Sequence, residues 1–129
     1  MLNFRQFEVG PDPFGRKWFV LMKWLQTAIS LRHSDTVDVK FILEHEGARV
    51  QKQIAMQHLD LLELSRRAGH PMTDAWCARL AAQHLKKMVE TGEDLDKDLV
   101  TVRPAELAVY ADEIAREENA EIATRRGAA

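Results

Sequence analysis

Lys17–Leu31, KWFVLMKWLQTAISL, holds two of the chain's three tryptophans and its densest apolar run. Whether it forms a strand or a helix decides the fold. The run is too short and too punctuated by lysine to span a bilayer, which takes about 20 mostly apolar residues. As a helix it would gather Trp18, Leu21, Met22, Leu25, Ala28 and Ile29 on one face. As a regular strand it would point Phe19, Leu21, Leu25, Ile29 and Leu31 one way. Trp18, Val20, Met22 and Trp24 would point the other. Aromatic and β-branched residues are enriched here and favour the strand. Because the run is long for one strand, a bend or bulge is expected near Lys23.

Downstream, Arg32-His33-Ser34-Asp35 reads as a polar turn. Val37, Val39, Phe41 and Leu43 then alternate with Asp38, Lys40, Ile42 and Glu44, the clearest period-two pattern in the chain. His45-Glu46-Gly47-Ala48 reads as a turn, and Arg49–Met56 as the returning strand, with Val50, Ile54 and Met56 inward. Upstream, Leu2–Val9 reads as a strand ahead of the loop Gly10-Pro11-Asp12-Pro13-Phe14-Gly15. Short turns between sequential strands imply an antiparallel meander.

The second half reads as helical. Leu59–Ala68 stops at Gly69. Thr73 suits an N-cap, and Trp76, Cys77, Leu80, Ala81, Leu85 and Met88 form a stripe ending at Gly92. Pro104 suits the first turn of a last helix bearing Leu107, Tyr110, Ala111 and Ile114. Val100–Val102 is a candidate short fifth strand. The expected class is α+β, with a four-stranded antiparallel meander followed by two or three helices on one sheet face. A single domain is expected over residues 1–122, with a frayed tail over 123–129.

Length and composition fit a globular domain with a core of its own. The net charge of −2 argues against a general nucleic-acid binder. Residues 1–56 carry eight Lys/Arg and six Asp/Glu, and residues 57–129 ten and fourteen, a mild asymmetry. The single cysteine excludes an internal disulfide and is compatible with a reducing compartment. No charged leader precedes a long apolar core, and no segment reads as a membrane span, so a cytoplasmic location is expected.

The chemical motifs are weak. The five histidines, His33, His45, His58, His70 and His84, show no helical metal-ligand spacing, so no metal is expected. His84, beside the apolar stripe, reads as a core or rim histidine with one hydrogen bond. His33-Ser34-Asp35 holds triad residue types, but neighbours on one turn seldom aim at one another as a triad does. Asp94, Asp96 and Asp98 fit the first positions of a calcium loop. Leu99 replaces the turn glycine and Ala105 the closing glutamate. Pro11–Arg16 lacks a nucleotide fingerprint. It reads as a rigid connector with Phe14 tucked under the sheet, or as a binding loop with Asp12 and Arg16 as polar contacts. Cys77 lacks a histidine partner and reads as a small hydrophobe. No catalytic residue and no cofactor is expected.

Function is therefore read from the two faces of the Trp-bearing strand. Helices on one side of a sheet leave the other open. The face carrying Trp18, Val20, Met22 and Trp24 is expected to lack cover. A non-catalytic module that forms a homodimer through that face is the leading expectation. A small-molecule-binding protein or enzyme is the alternative, with a pocket between sheet and helices and Trp18, Trp24, Arg32 and His33 near its mouth. Single-stranded nucleic-acid binding through the Trp-bearing strand is a third. Candidate interface or ligand residues are Trp18, Val20, Met22, Trp24, Arg32, His33 and Asp35.

Overall fold

The structure, a computed structural model, describes residues 3–28 and 35–127. Lys17–Leu31 is a strand as far as Ala28. The elements are β1 (Gln6–Val9), β2 (Trp18–Ala28), β3 (Thr36–His45), β4 (Ala48–Gln57), α1 (His58–Ala68), α2 (Asp74–Thr91), β5 (Leu99–Thr101) and α3 (Pro104–Gly127). They form a five-stranded sheet in the order β1-β2-β3-β4-β5. The first four strands make an antiparallel meander, and β5 returns parallel to β4 after the helical crossover. This is an α+β fold.

The β3–β4 hairpin closes through Glu46 and Gly47, both with positive φ, between the paired residues His45 and Ala48. Two such residues build the tight turn whose twist matches the flanking strands. Helices α1 and α2 end where the sequence places them. Thr73 accepts the Trp76 amide at the start of α2, and Gly69 and Gly92 end α1 and α2 in the left-handed conformation. Gly92 serves a second purpose. A Cβ there would stand 2.8 Å from Pro13 Cγ, so its bareness lets the Gly10–Gly15 loop close on the end of α2. Helix α3 runs on through Gly127, into the segment expected to fray. Its Glu117 and Glu118 are tied back to Arg79 of α2.

The expected bulge is present, and it reorganises the faces. Met22 pairs with Phe41, but Trp24 pairs with Lys40, the register shifting across Lys23. The extra residue flips the parity of everything after it. Trp18 and Val20 therefore lie on the inward face with Val37, Val39, Phe41 and Leu43, where all are buried. Met22 and Leu25 pack on that core, one from each side of the bulge. Phe19, Leu21 and Trp24 take the outward face, opposite Glu44, Ile42 and Lys40.

The expected facing is thus corrected in two respects. The inward face of the first half is that of Trp18 rather than Phe19, because β3 presents its alternating apolar side to the helices and Val20 is in register with Leu43. Trp18 and Trp24 do not share a face, because the bulge separates them.

Candidate functional site

The outward sheet face carries a stripe of Phe19, Leu21, Trp24 and Ile42. Phe19 is 41% exposed; Leu21 and Trp24 are half-buried, and Ile42 is buried among its neighbours. The apolar pair Leu21–Ile42 lies between two mixed pairs, Phe19 with Glu44 and Trp24 with Lys40. Lys40 Nζ stands 5.7 Å from the Trp24 ring centroid. Asp38 is buried on the same face, accepting from Thr36 Oγ1 at 2.8 Å and Gln53 Nε2 at 2.7 Å. Glu44 pairs loosely with Arg49. The stripe is apolar and open to water mainly at Phe19. It also has no charge excess that would demand a polyanion.

The Gly10–Lys17 loop has a different logic. Asp12, only 4% exposed, is its hub. Its Oδ1 accepts the amides of Phe14 and Arg16, each at 2.9 Å. Its Oδ2 accepts Arg16 Nε at 2.8 Å and Trp18 Nε1 at 3.0 Å. Burial alone would raise this carboxyl's pKa. The bonds from Trp18, Arg16 and Phe14 outweigh it and hold the group far below the usual carboxylate range. All this makes Asp12 a latch rather than an available ligand contact. Phe14 is 79% exposed instead of tucked under the sheet. The Arg16 guanidinium carbon stands 5.1 Å from the Phe14 ring centroid and 5.2 Å from that of Trp18.

Lys52 was not singled out from sequence. It occupies an inward position of β4 and is only 5% exposed. Its ammonium donates to the Leu95 carbonyl at 2.6 Å and the Lys97 carbonyl at 2.7 Å, with Asp98 Oδ1 at 3.9 Å. The acidic loop after α2 is therefore folded around a lysine. Among the described residues no cluster of His, Cys, Asp and Glu could hold a metal ion. The readable signal was parity: a lysine two residues from Val50 and from Ile54, on the side those residues bury.

A third polar cluster lies between α2, α3 and β5. His84, 3% exposed, shares a hydrogen bond of 2.8 Å between Nδ1 and the Tyr110 hydroxyl. Glu106 Oε2 stands 3.7 Å from the same nitrogen and accepts from Lys87 Nζ at 2.7 Å. Arg103 Nε donates to Glu106 Oε1 at 3.0 Å. Burial lowers the His84 pKa, against the pull of Glu106. For Glu106 burial acts upward, but the Lys87 and Arg103 bonds prevail and bring it to about 2. His84 Nε2 is buried without a partner among the described residues. Cys77 is also buried, and burial beside Asp74 pushes its thiol up to about 11, leaving it protonated and unreactive.

The sequence-derived candidates thus separate. Trp18 and Val20 belong to the core, and Met22 is partly buried against it. Trp24 alone of that set lies on the open face. Asp35 is exposed, and its carbonyl accepts the His58 amide at the start of α1. Arg32 and His33 lie outside the described residues, as do Ile29, Leu31 and Ser34. No described helix is long and apolar enough to cross a membrane.

Compared with family models, with curated proteins and with solved structures, the chain has no match in any of the three. The geometry of its own surfaces carries the functional reading.

Proposed function

We propose that this protein is a non-catalytic module that self-associates, two copies meeting across the open sheet face at Phe19, Leu21 and Trp24. The carrying observation is the bulge at Lys23, which turns Trp24 outward beside Leu21 and Ile42. Without the bulge Trp24 would fall on the inward side. Apolar area withdrawn from water contributes roughly 25 cal/mol per Å².

Two features favour a face-to-face partner over lengthening of the sheet. The edge strands β1 and β5 span only four and three residues, so neither offers a long ladder for another strand. The open face also carries both signs of charge, with Glu8 and Glu44 set against Lys40 and Arg49. A two-fold axis can place acidic groups of one copy near basic groups of the other.

The Lys40–Trp24 contact favours a second reading, single-stranded nucleic-acid binding, in which a base stacks on the exposed indole. The loss of Trp18 to the core removes half of that platform. Sedimentation equilibrium separates the two readings. Self-association gives a species of twice the chain mass at micromolar concentration and no salt-sensitive quenching by an oligonucleotide. A monomer whose Trp24 fluorescence an oligonucleotide quenches would replace the first reading by the second.

A further inference from the structure

Beneath the Gly10–Lys17 loop lies a hollow of about 150 Å³ that the self-association reading does not use. It is lined by Asp12, Arg16, Trp18, Leu43, Val50, Lys52, Val89 and Leu95. Most of that wall is apolar. A cavity near this volume is large enough for a single benzene ring.

The charged groups on the wall are unequally committed. Asp12 is saturated by its four donors. Lys52 is anchored on two carbonyls and brings a buried positive charge that its loose, solvent-exposed partner Asp98 does little to cancel. Arg16 spends only Nε on Asp12. Its two terminal amino groups have no hydrogen-bond partner among the described residues. Its guanidinium carbon stands 5.1 Å from the Phe14 ring centroid and 5.2 Å from that of Trp18, so both rings hold it by cation–π contact. A half-exposed guanidinium fork at the edge of a small apolar hollow suits an oxyanion that carries an apolar body, and a carboxylate is the smallest such group. The fork pairs a carboxylate in two parallel bonds while the hollow takes a short apolar body.

We propose that this hollow binds a small monocarboxylate with a compact apolar tail, of the size of benzoate or isovalerate, with the carboxylate on Arg16 and the tail against Leu43, Val50, Val89 and Leu95. The polar set is complementary to an anion and not to a cation, since its one carboxylate is already fully bonded. The volume limits the tail to about one ring or a branched chain.

Benzoate and its neutral isostere benzamide, titrated into the ¹⁵N-labelled full chain, test this directly. The three tryptophan indole signals report position. Trp18 Nε1 donates to Asp12 at the hollow, Trp24 lies on the open face, and Trp76 is in the core. Benzoate is expected to shift the Trp18 signal saturably with a millimolar or tighter Kd, leaving Trp24 and Trp76 in place. Benzamide should bind about tenfold more weakly or worse, and Arg16→Gln should cost benzoate a similar factor. Val50→Phe, which fills the hollow from its exposed side and leaves Arg16 intact, should abolish the shift. The proposal fails if benzamide binds as tightly as benzoate, if Val50→Phe leaves binding unchanged, if Trp24 is the indole that moves, or if no shift saturates. The acid–amide comparison uses the unaltered protein, so it decides even where Arg16→Gln disturbs the loop.

Discussion

Met22 and Trp24, two residues apart on one strand, lie on opposite faces of the sheet, Met22 paired with Phe41 and Trp24 with Lys40. In an unbroken strand they would share a face. Lys23 is the residue that separates them, and its own long, charged side chain tolerates the unpaired position. Through this one irregularity the chain keeps an apolar pattern on both faces of β2, Leu25 continuing the inward side as Trp24 opens the outward one.

Replacement of Asp12 by asparagine tests the loop latch. An amide keeps the shape but turns one acceptor into a donor, facing groups that can only donate. One pair of donors must lose its acceptor, either the Phe14 and Arg16 amides on Oδ1 or the Arg16 and Trp18 side chains on Oδ2. The expected result is a lower urea midpoint at an unchanged m value, with the Trp18 indole signal shifted. An unaltered midpoint would contradict the latch.

Lys52→Met tests the acidic loop. The thioether side chain fills similar volume, but it leaves the Leu95 and Lys97 carbonyls without their donor. Losing those bonds should cost about 2 kcal/mol. Faster amide exchange over residues 93–98 should accompany it, with the sheet unaffected. Calcium should restore neither quantity, because the loop's cation is a lysine.

Acid stability follows from His84 and Glu106. The His84 pKa is lowered in the folded chain, so the unfolded chain takes up the proton first. Stability should therefore begin to fall as pH drops through about 6.5. Glu106 is depressed from 4.5 to about 2, so its contribution is complete above 4.5 and is lost as pH falls through that interval. Protonated His84 would face the carboxylate of Glu106 on one side and the ammonium of Lys87 beyond it. Chemical denaturation across pH should show both steps, and His84→Gln should remove only the upper one.

Much of this fold was legible in local chemistry. The period-two pattern of Val37–Glu44, the Glu46-Gly47 turn, the Thr73 cap and the stops at Gly69 and Gly92 each depend on neighbours in sequence, and each falls where the sequence places it. The location of the bulge was legible too, as a length problem near Lys23. Its consequence was not. Which face of β2 meets the helices is set by register against β3, a pairing across the turn that periodicity within one strand does not contain. The Lys52 anchor was hidden for the same reason, whereas the Asp12 latch joins residues at most six apart and was missed because loop residues follow no period. Lys52 bonds carbonyls 43 and 45 residues away, and only the assembled fold brings them together.

Whether two copies meet through Trp24 is decided by sedimentation equilibrium of the native chain beside Trp24→Glu. At a two-fold interface each residue appears twice, so one substitution sets two carboxylates into the contact. The native chain should sediment at twice its monomer mass at micromolar concentration, and Trp24→Glu at the monomer mass with unchanged circular dichroism. A native chain that remains monomeric at that concentration, or a variant that remains dimeric, would rule out association through this face.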